Sequence, residues 1–128
     1  MDQDQLNETS RIIIEAAIDV HSKLGPGLLE SVYQTCTAYY LRKAGQVVLT
    51  EQKLPIRYGD VHIDAGYRID LLVNDAVIVE VKSVEQLLPI HHAQVLSYLR
   101  LSQKRLGLLI NFNVPRLLVG LKRIVNNF

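Results

Sequence analysis

The sequence predicts an α/β protein in which helices flank a mixed central sheet. Two helical segments come first, a run of extended segments follows, and one more helix leads to a last apolar strand. A length of 128 residues with 48% hydrophobic residues suits one domain with one core, so we expect residues 1–128 to form a single domain. The expected order of elements is therefore α, α, β, β, β, α, β.

The first two predicted helices are separated by a glycine-rich break. Apolar residues recur at spacings of three, four and seven between Leu6 and Leu24, which is typical of an amphipathic helix. The break at residues 25–27, Gly-Pro-Gly, ends this helix, and a second helix is predicted from Leu28 to about Ala44. Candidate capping residues near the start of the first helix are Asn7, Thr9 and Ser10.

The middle and end of the chain supply the strands and the third helix. Gln46–Tyr58 is mostly extended, and Pro55 favours an edge position for its second half. Pro89 can open a helix over Ile90–Gln103, whereas Leu117–Val125 fits either a short strand or an irregular cover. The other predicted strands are Val61–Asp64, Gly66–Val73, Ala76–Lys82 and Leu106–Phe112.

Composition excludes several classes of protein. No apolar run approaches the ~20 residues of a transmembrane helix, and the acidic first ten residues do not resemble a signal peptide, so we expect a cytoplasmic protein without a membrane partner. The lone Cys36 excludes an internal disulfide framework and a multi-cysteine zinc site. Residues 86–128 hold 6 bases and no acid, which predicts either an anion-facing surface or bases that pair with acids elsewhere.

Three charged residues fall on an otherwise apolar hairpin. Glu80 and Lys82 lie two apart and therefore share one face of a strand, and Asp70 lies on the preceding strand. A two-residue turn at residues 74–75 would put the two acids on opposite faces, whereas a three- or five-residue loop centred on Asp75 would pair Asp70 with Glu80. A shared site for these carboxylates therefore requires an odd loop or a bulge.

Convergent carboxylates at this position predict a hard oxygen site that suits Mg²⁺ or Mn²⁺. Asp70, Glu80 and the backbone carbonyl of Val81 are the expected protein ligands. The metal ion would polarise a phosphate oxygen and help to deprotonate water, and Lys82 would orient that water or offset the charge that develops on the phosphate.

Four sequence blocks resemble known nuclease motifs. Asp70 followed by Glu80-x-Lys82 resembles the PD-(D/E)XK phosphodiesterase motif, and residues 27–33 are similar to the G-x-x-E-x-x-Y signature of the bacterial and archaeal GxxExxY proteins. Gln94 to Tyr98 resembles the Q-x₃-Y helix motif of exonuclease branches of the same superfamily, and residues 107–117 are also similar to the GxxExxY family. The resemblance implies a restriction-endonuclease-like αβββαβ core with an extra N-terminal helix.

The resemblance also adds site residues. Glu30 is expected either to add a third catalytic and metal-binding carboxylate or only to stabilise the start of its helix. Gln94 and Tyr98 share a helix face and would bind substrate, although an amphipathic edge packed on the sheet explains them too. The expected substrate-binding residues are Tyr33, His91, Gln94 and Tyr98.

The leading functional hypothesis is a metal-dependent nuclease that hydrolyses phosphodiester bonds in DNA or RNA. The main alternative is a non-catalytic nucleic-acid-binding or assembly module that retains the fold. A third is a solvent-exposed strand end at which Glu80 and Lys82 form only a lateral pair. The small domain and its few bases lead us to expect a homodimer or a protein partner that helps to hold the substrate.

Overall fold

Two helices cover one face of a five-stranded sheet and a third helix covers the other, in a computed structural model that describes residues 1–126. The predicted domain also included residues 127 and 128, which lie outside the described residues. The elements are α1 (Gln3–Leu24), α2 (Glu30–Lys43), β1 (Val48–Lys53), β2 (Ile56–Tyr58), β3 (Val61–Ile63), β4 (Arg68–Val73), β5 (Val77–Lys82), α3 (Pro89–Ser102), β6 (Leu106–Asn111), a 3₁₀ turn (Leu117–Gly120) and β7 (Leu121–Val125).

The main sheet is mixed, as the sequence predicts. Its strands lie in the order β1-β4-β5-β6-β7, and only β5 and β6 are parallel because α3 connects them as a crossover. Strand β5 alternates between two cores: Val77, Val79 and Val81 pack with α1 and α2, while Ile78 packs with α3. The predicted α/β class and the α, α, β, β, β, α, β core are therefore confirmed.

The extended segment predicted over 46–58 is in fact two strands. The Leu54-Pro55 step separates β1 from β2, since proline cannot donate to a strand ladder. Strands β2 and β3 then pair only with each other, as a small hairpin outside the main sheet. In the sequence this hairpin lies between β1 and β4, which pair directly with each other in the main sheet.

Two other details of the sequence prediction change. The predicted caps of α1 were wrong, because the helix begins earlier: the Asp2 side chain accepts from the Gln5 N–H at 2.8 Å and the Gln5 side chain accepts from the Asp2 N–H. The ambiguous segment after Arg116 forms a 3₁₀ turn followed by the edge strand β7. No helix within residues 1–126 is long and apolar enough to cross a membrane.

Gly120 allows the 3₁₀ turn to approach the end of β6. A Cβ atom at this position would lie 2.2 Å from the backbone carbonyl oxygen of Asn111, and backbone cannot move as a flexible side chain can. We expect Gly120→Ala to lower the free energy of unfolding by roughly 1–3 kcal/mol, measured by chemical denaturation. Gly107→Ala is the graded comparison, because its Cβ would meet only the side chain of Val95 at 2.8 Å. An equal or larger loss at Gly107 would contradict this explanation.

Candidate functional site

The β4–β5 hairpin has the odd loop that a shared carboxylate site requires. Residues 74–76 form the loop, and the two residues Asn74 and Asp75 have φ values of 54° and 53°. Val73 pairs with Val77 and the register continues to Leu71 and Val79, so the next step along each strand brings Asp70 opposite Glu80. Both acids therefore lie on the sheet face that α3 covers.

The backbone pairing of the two strands ends at this point, and hydrogen bonds from the backbone to the two acidic side chains replace it. The Asp70 N–H donates to Glu80 Oε1 at 3.2 Å, and the Val81 N–H donates to Asp70 Oδ2 at 2.8 Å. Each carboxylate thus accepts a hydrogen bond from the backbone of the opposite strand. These bonds satisfy two N–H groups that would otherwise lose their partners where the strands separate.

The electrostatics of this pair favour a cation. Burial first, and the negative charge of Asp70 second, raise the pKa of Glu80 to about 9. Burial is also the main cause that raises the pKa of Asp70, with the charge of Glu51 adding to it. Because two buried carboxylates resist ionising side by side, a bound cation would stabilise the doubly charged form.

Lys82 lies near both acids without being tied to either. Its positive charge lowers the pKa of Asp70 and the pKa of Glu80, although burial outweighs this effect for both groups. Across residues 1–126, the four ion pairs do not include the Lys82 ammonium. The ammonium is therefore available to an anionic group beside the carboxylates.

A cleft of about 630 Å³ lies on the α3 side of the sheet, with Lys82, two residues after Glu80, in its wall. Lys82, His91, Gln94 and Tyr98 all line it, so these predicted residues converge on one space. Burial, followed by the charge of Glu80, raises the pKa of Tyr98 to about 12, with smaller contributions from Tyr67 and Asp70. The charges of the acidic pair therefore act on the Tyr98 hydroxyl.

His91 has a second, structural contact at the start of α3. Its Nδ1 accepts a hydrogen bond from the Leu88 N–H at 3.0 Å, which satisfies a backbone donor just before the helix. Because Nδ1 accepts this hydrogen bond, the neutral ring carries its proton on Nε2. His91 therefore combines a helix-capping contact with a position on the cleft wall.

Glu30 is the acidic residue and Tyr33 the aromatic residue of the G-x-x-E-x-x-Y block. Both side chains form hydrogen bonds with backbone groups. Glu30 Oε2 accepts from the Ser83 N–H at 3.0 Å, directly after the strand that carries Glu80 and Lys82. Ser83 Oγ in turn donates to the Leu28 carbonyl at 2.6 Å. Among residues 1–126, no group of three or more acidic, histidine or cysteine side chains is arranged to hold a metal ion. Glu30 is thus not joined to the pair as a third ligand here.

Tyr33, expected to contact substrate, lies in the core. The side chain is completely buried and stacks on Phe112 with ring centroids 4.5 Å apart. Its hydroxyl donates to the Gly25 carbonyl at 2.6 Å and accepts from the Leu28 N–H at 3.1 Å. These contacts fix the glycine-rich break between α1 and α2, so Tyr33 has a structural role in this arrangement and does not reach the cleft.

The structure adds two residues that sequence reasoning missed. Glu51 on β1 lies between the residues that pair with Leu71 and Ile69, which places it opposite Asp70, and its φ is 52°. Tyr67, just before β4, lines the cleft and packs edge-on against Tyr98 with ring centroids 6.0 Å apart. Neither residue belongs to a motif. Only the register of β1 places Glu51 opposite Asp70, where its carboxylate accepts a hydrogen bond from the Gln34 amide of α2 at 2.9 Å. Only the path of the β2–β3 hairpin brings Tyr67 to the cleft.

Comparison with known proteins gives one match. The model of the family described as the PD-(D/E)XK nuclease superfamily matches residues 7–124 of this chain. No curated protein and no solved structure matches it. The matched range contains all of the predicted site residues, from Glu30 to Tyr98.

Proposed function

Since the chain belongs to the PD-(D/E)XK nuclease superfamily, we propose that it is a metal-dependent nuclease that hydrolyses phosphodiester bonds in DNA or RNA. The observation that carries this proposal is the separated end of the β4–β5 hairpin. There Asp70 and Glu80 face each other, half-buried and buried respectively, with Lys82 two residues further along the strand. A structural ion pair would have joined Lys82 to one of these acids.

The residues at the hairpin fit a hard divalent cation. Burial raises the pKa of both oxygen ligands, and the charge of Asp70 raises that of Glu80 further, so the pair gains from a cation between them. Asp70, Glu80 and the Val81 carbonyl would hold Mg²⁺ or Mn²⁺, with water completing the coordination. When bound, the ion supplies a Lewis acid for a phosphate oxygen and lowers the pKa of water. Glu30 supports the site from outside, because it binds the backbone that follows Lys82.

The protein's own groups then position and stabilise the substrate. The Lys82 ammonium offsets negative charge that develops on the phosphate oxygens during attack. The Tyr98 hydroxyl remains protonated at neutral pH because its pKa is about 12, so it can donate a hydrogen bond to a phosphate oxygen. The Gln94 amide, on the same wall of the cleft, can orient the substrate or the attacking water.

A non-catalytic nucleic-acid-binding module is the second candidate. The observation that favours it is that, within residues 1–126, no third acidic, histidine or cysteine side chain joins the pair to form a metal-binding group. Such a module would bind nucleic acid in the cleft without cleaving it. A homodimer that helps to hold the substrate stays a prediction.

The test combines metal titration with a cleavage assay. We expect Mg²⁺ or Mn²⁺ to bind by calorimetry and to support cleavage of labelled DNA or RNA, and EDTA to abolish that cleavage. Lys82→Met should lower the cleavage rate by roughly 100- to 1,000-fold and still bind the metal, because it removes a charge and no ligand. Lys23→Met is the matched control, since Lys23 lies on the exposed surface of α1 in a pair with Asp19.

Two outcomes would contradict the nuclease proposal. If the wild-type protein bound neither Mg²⁺ nor Mn²⁺, the proposed metal site would be refuted. Metal binding without cleavage of any single- or double-stranded DNA or RNA would favour the non-catalytic module. Equal loss of cleavage in the Lys82 and Lys23 variants would show a general effect of positive charge on substrate binding.

A further inference from the structure

The cleft beside the carboxylates lies between α3 and the β2–β3 hairpin. Ile56 comes from the hairpin, Tyr67 from the segment that leads to β4, and Ser97 and Leu101 from α3. We propose that this cleft binds one unpaired nucleobase, and that the substrate is therefore single-stranded nucleic acid at the point of cleavage. The inference rests on the proposed function for its placement, and its binding step can be tested without cleavage.

The walls of the cleft have the chemistry of a nucleobase site. A base has flat apolar faces and polar edges, and sites that bind unpaired bases combine aromatic or apolar walls with a few hydrogen-bonding groups. Here Ile56, Tyr67 and Leu101 supply apolar surface, while Gln94 supplies an amide donor and acceptor. No other side chain or backbone group within residues 1–126 hydrogen-bonds the Gln94 amide, so it is free to pair with a base edge.

Tyr67 offers the stacking surface. Its side chain is 44% exposed, although it is a large aromatic group at the edge of an otherwise buried strand. The ring lies at an interplanar angle of 63° to that of Tyr98, and Tyr67 lines the cleft, so its exposed aromatic surface is available for a base to stack on. Stacking of a base on such a ring is tolerant of base identity, because every base has a π-face.

The position of the cleft explains the preference for a single strand. Lys82 lines the cleft, and Tyr98 is close enough to respond to the charges of Glu80 and Asp70. A base held in the cleft thus brings its own or the next phosphate to the carboxylates. In a duplex the bases are stacked and paired inside the helix, so a base can enter only after it is unstacked and unpaired, which disfavours a duplex substrate.

The experiment measures binding by fluorescence anisotropy in EDTA, where no cleavage occurs. The probes are labelled single-stranded DNA, single-stranded RNA and a blunt DNA duplex of equal length. We expect at least tenfold tighter binding of one or both single strands than of the duplex, and comparison of the two single strands identifies the preferred sugar. Tyr67→Ala should weaken single-strand binding by roughly 5- to 100-fold, as expected for the loss of one stacked base, and Tyr67→Phe should keep it.

Tyr58→Ala is the matched control, because Tyr58 lies on β2 of the same hairpin, is 80% exposed and does not line the cleft. It should change the affinity less than twofold. Ser97→Leu provides a second variant: Ser97 is exposed on α3 and lines the cleft, so leucine narrows the cleft without disturbing the core. We expect it to weaken single-strand binding by at least fivefold.

Duplex binding that is equal to or tighter than single-strand binding would overturn the inference, as would no binding of any probe. Equal effects of Tyr67→Ala and Tyr58→Ala, with no effect of Ser97→Leu, would also overturn it. Failure of the nuclease proposal gives a different result: single strands bind in the cleft, and no metal ion supports their cleavage. Efficient cleavage of duplex without preference for single strands would preserve the nuclease proposal and refute the nucleobase site.

Discussion

The Asp70→Asn variant is expected to lose Mg²⁺ binding and to cleave nucleic acid roughly 1,000-fold more slowly than wild type, while its fold remains stable. Asparagine removes a charged metal ligand but keeps an oxygen that can accept the Val81 N–H at the position where Asp70 Oδ2 accepts it at 2.8 Å. It also removes the repulsion with Glu80. The free energy of unfolding of the metal-free protein at pH 8 should therefore stay the same or rise by about 1 kcal/mol.

The measurements are metal titration, single-turnover cleavage and chemical denaturation of the same preparations. Asp75→Asn is the matched control, because Asp75 lies in the loop of the same hairpin and its exposed side chain pairs with Lys104. Saturating Mg²⁺ at about 100 times its Kd should add ~2.7 kcal/mol to the stability of wild type and of Asp75→Asn, and little to Asp70→Asn. Parallel loss of stability and activity in Asp70→Asn would assign the residue a purely structural role.

The stability of the metal-free wild-type protein is expected to fall as the pH rises from about 5 to 9. The pKa of Glu80 is about 9 in the folded state and near its ordinary value of 4.5 in the unfolded chain. Between these values the folded state keeps a proton that the unfolded state has lost, so each increase in pH favours unfolding. The contribution is fully present below pH 4.5, and its loss approaches 1.4 kcal/mol per pH unit at most. The raised pKa of Asp70 acts in the same direction.

Glu80→Gln should flatten this pH dependence, since glutamine does not titrate, and Glu85→Gln in the exposed segment after β5 is the control that should not. The pKa of Tyr98, about 12, adds a further loss of stability only above pH 10, outside this range. Saturating Mg²⁺ should flatten the wild-type curve too, because the bound cation keeps the carboxylates ionised. Identical slopes for wild type and Glu80→Gln would show that Glu80 is not buried with its proton in the folded protein.

The hairpin shows why the relative positions of Asp70, Glu80 and Lys82 could be predicted from the sequence. Alternation along β5 separated Glu80 and Lys82 from the valines, and the parity of the loop decided whether Asp70 could join them. Asn74 and Asp75 are residues that tolerate positive φ, so the three-residue loop could be anticipated. Local periodicity also placed Gln94 and Tyr98 on one helix face, and the cleft confirms that they lie together.

The remaining parts depend on long-range packing that the sequence does not encode locally. Helical spacing put Tyr33 on the same side as Glu30, but the stacking partner that buries it, Phe112, lies 79 residues away. Glu51 lies opposite Asp70 only through the register of β1. The sequence predicts β2 as the second half of one extended segment, because nothing in residues 46–58 except Pro55 marks where the chain leaves the sheet. Its contribution to the cleft was therefore not foreseen.

The exchange of hydrogen bonds at the separated hairpin has a consequence for how related sequences are interpreted. Because Asp70 and Glu80 each complete the backbone of the opposite strand, a descendant that gave up catalysis would still be selected to keep an acceptor at both positions. Conservation of the acidic pair among relatives therefore indicates a requirement for folding as well as for catalysis. Lys82 forms no ion pair within residues 1–126 and supports no such backbone contact through its side chain. Its replacement is the clearer evolutionary mark of an inactive lineage.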